Sequence, residues 1–64
     1  MADSATATRP GKRQRLVASA RGLIHEQGAH RTTLADVAER AEVPLGNVYY
    51  YFKSKDELIG AVLD

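Results

Sequence analysis

There is no cysteine in the sequence, and that absence closes two routes by which a small chain is often stabilised. Neither a disulfide framework nor a thiolate metal site is open to it. The same absence accords with a reducing, cytoplasmic setting. The two histidines, His25 and His30, do not stand at ligand spacing, so no metal and no cofactor is expected. Tryptophan is also missing, and phenylalanine occurs once. No apolar run approaches the length needed to span a bilayer, so no membrane partner is expected. The first eight residues lack the basic start and apolar stretch of a secretory signal. With 64 residues the chain is one domain at most, and a domain of that size buries only about 60% of its unfolded surface.

The net charge is only +1, but the signs are segregated. Arg9, Lys12, Arg13 and Arg15 cluster near the start. No acid lies between Pro44 and Lys55, while Lys53 and Lys55 follow a run of aromatics. For a nucleic-acid binder the sign of each face matters more than the sum.

Residues 1–11 are expected to form a disordered basic arm. A helix can open at Pro10–Gly11, because proline is tolerated in a first turn. Leu16, Val17, Ala20, Leu23 and Ile24 then form the stripe of an amphipathic helix. Gly28 suits a left-handed closing residue, and Gly22 weakens the helix by roughly 1 kcal/mol against alanine. Thr33 and Asp36 signal a second start, with Leu34, Val37, Ala38 and Ala41 as the apolar set of a helix near nine residues long. Pro44 ends that stretch and opens a third helix over 45–52. Three tyrosines and Val48 favour strand by propensity, but a lone strand has no partner in this chain. Ser54 and Glu57 have the spacing of a capping box, announcing a fourth helix with Leu58, Ile59, Val62 and Leu63 on its apolar side. The expected fold is all-α: a small helical bundle with a helix-turn-helix, a homeodomain-like three-helix core plus the start of a fourth helix.

Two short helices joined by a tight turn place chemical demands on their side chains. Ala38 is small where the third helix must approach the second, and Val37, Ala41, Val43 and Val48 form the wedge that sets the angle. The far side of the third helix then projects Leu45, Gly46, Asn47, Tyr49, Tyr50 and Tyr51, with no acid among them. A tyrosine hydroxyl can meet phosphate or a base edge, and its ring can cover sugar or a thymine methyl. Asn47 can offer paired contacts to adenine, and Gly46 lets the backbone come near the duplex. One of the three rings is expected to be partly core.

These residues carry a resemblance. The runs Thr33-Leu34-Ala35-Asp36-Val37-Ala38, Val43-Pro44-Leu45-Gly46-Asn47-Val48-Tyr49-Tyr50-Tyr51-Phe52 and Ser54-Lys55-Asp56-Glu57-Leu58 resemble the DNA-binding domain of the TetR (tetracycline-repressor) family, over residues 12–64. The resemblance implies a ligand-responsive regulator, a repressor above all, that binds double-stranded DNA at a pseudo-palindromic operator. It implies that Leu45, Gly46, Asn47 and Tyr49 face base edges, and that Thr33, Tyr50, Tyr51 and Lys55 hold phosphates. Arg9, Lys12 and Arg13 are candidate arm contacts, or part of a solvating tail. Homodimerisation and a small-molecule effector are expected only in a C-terminal domain beyond these residues, since the pattern of the fourth helix still runs at Asp64. Three positions depart from the family pattern. Glu42 replaces the usual turn glycine, Pro44 a serine or threonine cap, and Ala29 an aromatic.

Two other classes compete with this reading. Tyr51 and Lys55 have the Tyr-x-x-x-Lys spacing of short-chain dehydrogenases, but that chemistry needs a glycine-rich phosphate loop, and no G-x-G-x-x-G occurs. No enzyme is expected, and His25 and Glu26 read as a solvated helix face. A small helical protein–protein interaction module is the stronger alternative. Binding to DNA should weaken steeply with salt, whereas a tyrosine-rich protein contact should barely respond.

Overall fold

Gly11 stands in extended conformation ahead of the first helix, and its carbonyl accepts the Arg15 N–H at 3.0 Å. In this computed structural model, residues 11–63 are described; the rest of the expected arm, with Arg9, and Asp64 lie outside them. The first helix, α1, runs over Lys12–Gln27, so Lys12 and Arg13 belong to its opening turn and not to an arm. It closes at Gly28, whose N–H reaches the Ile24 carbonyl at 2.8 Å. Gly28 has φ +91° and ψ 149°. The φ is positive as expected, but the residue is extended, not left-handed helical. That region is essentially restricted to glycine.

A single turn of 3₁₀ helix, Ala29–Arg31, follows. Nothing in the local pattern marks it. The buried Thr32 secures its exit by donating its hydroxyl to the Gly28 carbonyl at 2.9 Å. The second helix, α2, spans Leu34–Ala41 and is capped as Thr33 and Asp36 suggest. The Asp36 N–H donates to Thr33 Oγ1 at 3.0 Å, and the Thr33 N–H donates to the Asp36 carboxylate at 3.2 Å.

The turn after α2 is where Glu42 takes glycine's place. Glu42 is left-handed, with φ 59° and ψ 44°. The N–H groups of Glu42 and Val43 fold back onto the carbonyls of Glu39 and Ala38 at 3.2 and 3.0 Å. This is the Schellman arrangement that normally recruits glycine.

The third helix, α3, covers Leu45–Tyr51, one residue shorter than expected. Phe52 has already turned extended, at φ −134°, while its N–H still bonds the Val48 carbonyl. Pro44 supplies no side-chain cap; its carbonyl accepts the N–H groups of Asn47 and Val48 instead. The fourth helix, α4, is Lys55–Leu63. Ser54 Oγ accepts the Glu57 N–H as expected, but the Glu57 carboxylate reaches past Ser54 to the Lys53 N–H at 2.8 Å. The capping box is therefore displaced by one residue.

Leu16, Val37, Val48 and Leu58, one from each helix, are the largest fully buried side chains. Around them lie Ala20, Ala38, Ala41, Val43 and Phe52. Helix α1 packs on α2 and α4, and α3 packs on α2. Truncating one of these central residues to alanine removes buried methyls and leaves a void, typically about 2–5 kcal/mol for leucine. Leu63, placed by pattern on the apolar side of α4, is 79% exposed. No helix among the described residues is long and apolar enough to cross a membrane.

Candidate nucleic-acid interface

The packing of α3 on α2 divides its short sequence into two sides. Val48, and Phe52 just beyond the helix, face the core. Leu45, Gly46, Tyr49 and Tyr50 are exposed, Tyr50 most of all at 76%, and Asn47 is half-buried. No acidic residue occurs on this helix. The partly core ring is Tyr51, which is half-buried against the apolar cluster. Its ring meets Tyr50 edge to face, with centroids 5.2 Å apart and planes at 89°. Tyr51 thus props the most exposed ring of the helix, an arrangement that aromatic quadrupoles favour.

Thr33 is exposed at the start of α2. Its oxygen accepts from Asp36, so the hydroxyl proton remains to be donated outward. Lys55 is more committed than its sequence position suggests. Its Nζ donates to the Ala29 carbonyl at 3.0 Å, tying the first residue of α4 to the 3₁₀ turn. An ammonium has three protons, so two are left for another acceptor. Lys53 donates to the Tyr49 carbonyl at 3.4 Å.

The basic residues of α1 separate into different tasks. Lys12 is exposed in the first turn. The Arg13 guanidinium lies 5.3 Å from the centre of the Phe52 ring. Arg15 donates from Nη2 to the carbonyls of Ala41 at 2.7 Å and Glu42 at 3.4 Å, at the very end of α2. Sequence reasoning missed this role, because the partner is 26 residues away and is a backbone carbonyl that any residue could offer. Glu26 is exposed on α1, in keeping with a solvated helix face. In the fold Glu26 pairs with Arg40 at 2.8 Å, and that hydrogen bond and charge hold its carboxyl below the ordinary glutamate range. Among the described residues no group of three histidine or acidic side chains could hold a metal ion.

The model of the bacterial regulatory proteins of the tetR family matches residues 16–62. The chain belongs to the tetR family. That match includes Thr33, all of α3 and Lys55, and leaves out Lys12 and Arg13. Among curated relatives, the chain is 42% identical to the HTH-type transcriptional regulator TtgR of Pseudomonas putida, over 81% of this chain and 25% of that protein. It is 41% identical to an HTH-type transcriptional repressor of Mycobacterium tuberculosis, over 77% of this chain and 26% of that one. It is 37% identical to the HTH-type transcriptional regulator BetI of Serratia proteamaculans, over 84% and 27% respectively. The chain therefore spans about a quarter of the length of these relatives. No solved structure matches.

Proposed function

We propose that this chain is the sequence-reading segment of a DNA-binding transcriptional regulator, a repressor responsive to a small-molecule effector and acting in the cytoplasm. The observation that carries the reading is the outward side of α3. It is exposed, free of acid and rich in tyrosine, and it stands directly after a turn that fixes its direction. A short helix presented in this way fits the major groove, where side chains reach base edges. Leu45, Gly46, Asn47 and Tyr49 meet the bases. Thr33, Tyr50, Tyr51 and Lys55 meet phosphates on either side and fix the register. The relatives' names, transcriptional regulators and a repressor, support the regulatory role.

One reader spans too few base pairs to find a site in a genome. Two copies act together on a pseudo-palindromic operator, with half-sites roughly one helical turn or more apart. We assign the homodimer interface and the effector pocket to sequence beyond these residues, within the remaining length that the relatives possess. Selection of bound duplexes from a random pool, using a dimerised form of the chain, tests the reading directly. It predicts enrichment of an inverted repeat and an affinity that falls steeply with salt. Recovery of no common sequence, together with binding that ignores salt, would favour a protein-docking role for the exposed tyrosines.

A further inference from the structure

The turn between α2 and α3 has two weaknesses. Glu42 holds a left-handed conformation that costs an ordinary residue free energy. Pro44 brings no N–H, so the turn has one donor fewer for the orphan carbonyls that end every helix. The backbone N–H groups of Glu42 and Val43 serve Ala38 and Glu39. The carbonyls of Ala41 and Glu42 receive a donor from elsewhere: the guanidinium of Arg15, reaching across from α1. Two residues earlier, Arg13 lies over Phe52, where the chain leaves α3. The opening of α1 therefore touches the helix-turn-helix both at its turn and at its exit.

We propose that Arg15 is a positioning residue for DNA reading: it straps the end of α2 to α1 and so holds the angle at which α3 is presented. The inference rests on the DNA-reading role proposed above. Arg15 suits the task because a cation complements the negative end of a helix and a guanidinium carries several donors in a fixed fork. Its role differs from that of a phosphate ligand. A phosphate contact contributes alike to every duplex and adds to the salt slope. A strap acts only where the placement of α3 is read.

The test compares wild type with Arg15→Ala and Arg15→Lys in the full chain, using the duplex recovered by selection and a random duplex of equal length. With Arg15→Ala, affinity for the selected duplex should fall roughly tenfold, the equivalent of one charge-assisted hydrogen bond. Affinity for the random duplex and the slope of log affinity against log salt should stay unchanged. Amide hydrogen exchange at Glu42 and Val43 should quicken by about the same factor, with Leu16 and Val37 unaffected. Arg15→Lys, which keeps a charged donor, should restore part of both effects. Equal losses on the two duplexes with a slope smaller by about one would make Arg15 a phosphate ligand and overturn the proposal. Exchange that quickens everywhere would make it a general stabiliser and would overturn it too. The exchange measurement needs no DNA, so a chain that binds no duplex would refute the DNA reading while the strap itself is still decided.

Discussion

Gly22 of α1 and Arg40 of α2 meet where their helices cross: a β-carbon placed at Gly22 would stand 3.3 Å from Nη2 of Arg40. The guanidinium lies across the glycine and pairs with Glu26 one turn further along α1. Gly22 weakens the helix by about 1 kcal/mol against alanine, and the ion pair is half-exposed on both sides, where solvent screens it. The atom in the way is the far end of a flexible side chain, so it can move aside. Gly22→Ala is expected to raise stability by up to about 1 kcal/mol, the helix-propensity gain. Urea unfolding measures it, and a loss above about 1 kcal/mol would show that Arg40 is held in place.

The same pair sets a pH dependence. The hydrogen bond from Arg40, then its charge, holds the Glu26 carboxyl below its ordinary value. A group whose folded value is depressed contributes stability above its unfolded value and loses it as pH falls through the folded one. The contribution of Glu26 is therefore present at neutral pH and disappears on acidification below the ordinary glutamate range. A carboxyl NMR titration should find Glu26 titrating low in the wild type, and at its ordinary position in Arg40→Ala. An unchanged titration in that variant would show that the ion pair does not persist in solution.

Glu42 offers a gain in stability. A left-handed residue with a side chain carries about 1–2 kcal/mol of strain, and glycine's freedom in the unfolded chain offsets about 0.4–1 kcal/mol of the relief. Glu42→Gly is expected to stabilise the domain by roughly 0.5–1 kcal/mol. Glu42→Ala keeps the β-carbon and removes only the carboxylate from the negative end of α2, so it separates strain from charge. If both variants gain equally, the backbone of Glu42 is unstrained and the carboxylate is the whole cause.

The four helices were legible because each carries its own code: an apolar stripe at helical spacing in α1, Thr33 with Asp36 before α2, Pro44 before α3, Ser54 before α4. Exposure of Leu45, Gly46, Tyr49 and Tyr50 followed from the same periodicity, since Val48 and Phe52 occupy the inner side. What escaped was decided by partners distant in sequence or by backbone angles. Lys55 and Arg15 each find a carbonyl 26 residues away. The sequence marks Gly28 as a left-handed residue closing α1, but its ψ depends on where the 3₁₀ turn must go. The exit at Phe52 reflects burial of its ring beneath Arg13, which no local window contains.

Asn47 and Lys55 should fail in opposite ways. Asn47→Ala removes a paired contact to a base and is expected to weaken the selected duplex by roughly 1–3 kcal/mol, with little effect on random DNA. Lys55→Met removes a charge while keeping the aliphatic stem. It should weaken all duplexes alike and reduce the salt slope by about one. Because Lys55 also ties α4 to the Ala29 carbonyl, its melting temperature should drop as well. Equal losses for Asn47→Ala on both duplexes would move that side chain from the bases to the backbone.

Gly46 gives the sharpest division between folding and binding. It sits exposed in the first turn of α3, and beyond its chain neighbours and the helix's own backbone a β-carbon there would meet nothing within 4 Å. Nothing in the fold requires glycine at this position, and glycine is the poorer helix former by about 0.5–1 kcal/mol. Gly46→Ala should therefore raise stability by up to that amount. If α3 lies in the major groove with Gly46 against the bases, the added methyl must push the helix outward. Affinity for the selected duplex should then fall by about 1–3 kcal/mol, the usual effect of overfilling a packed contact. Paired measurements of thermal unfolding and duplex binding decide the matter: a variant that is more stable and binds as well as wild type would place Gly46 away from the groove.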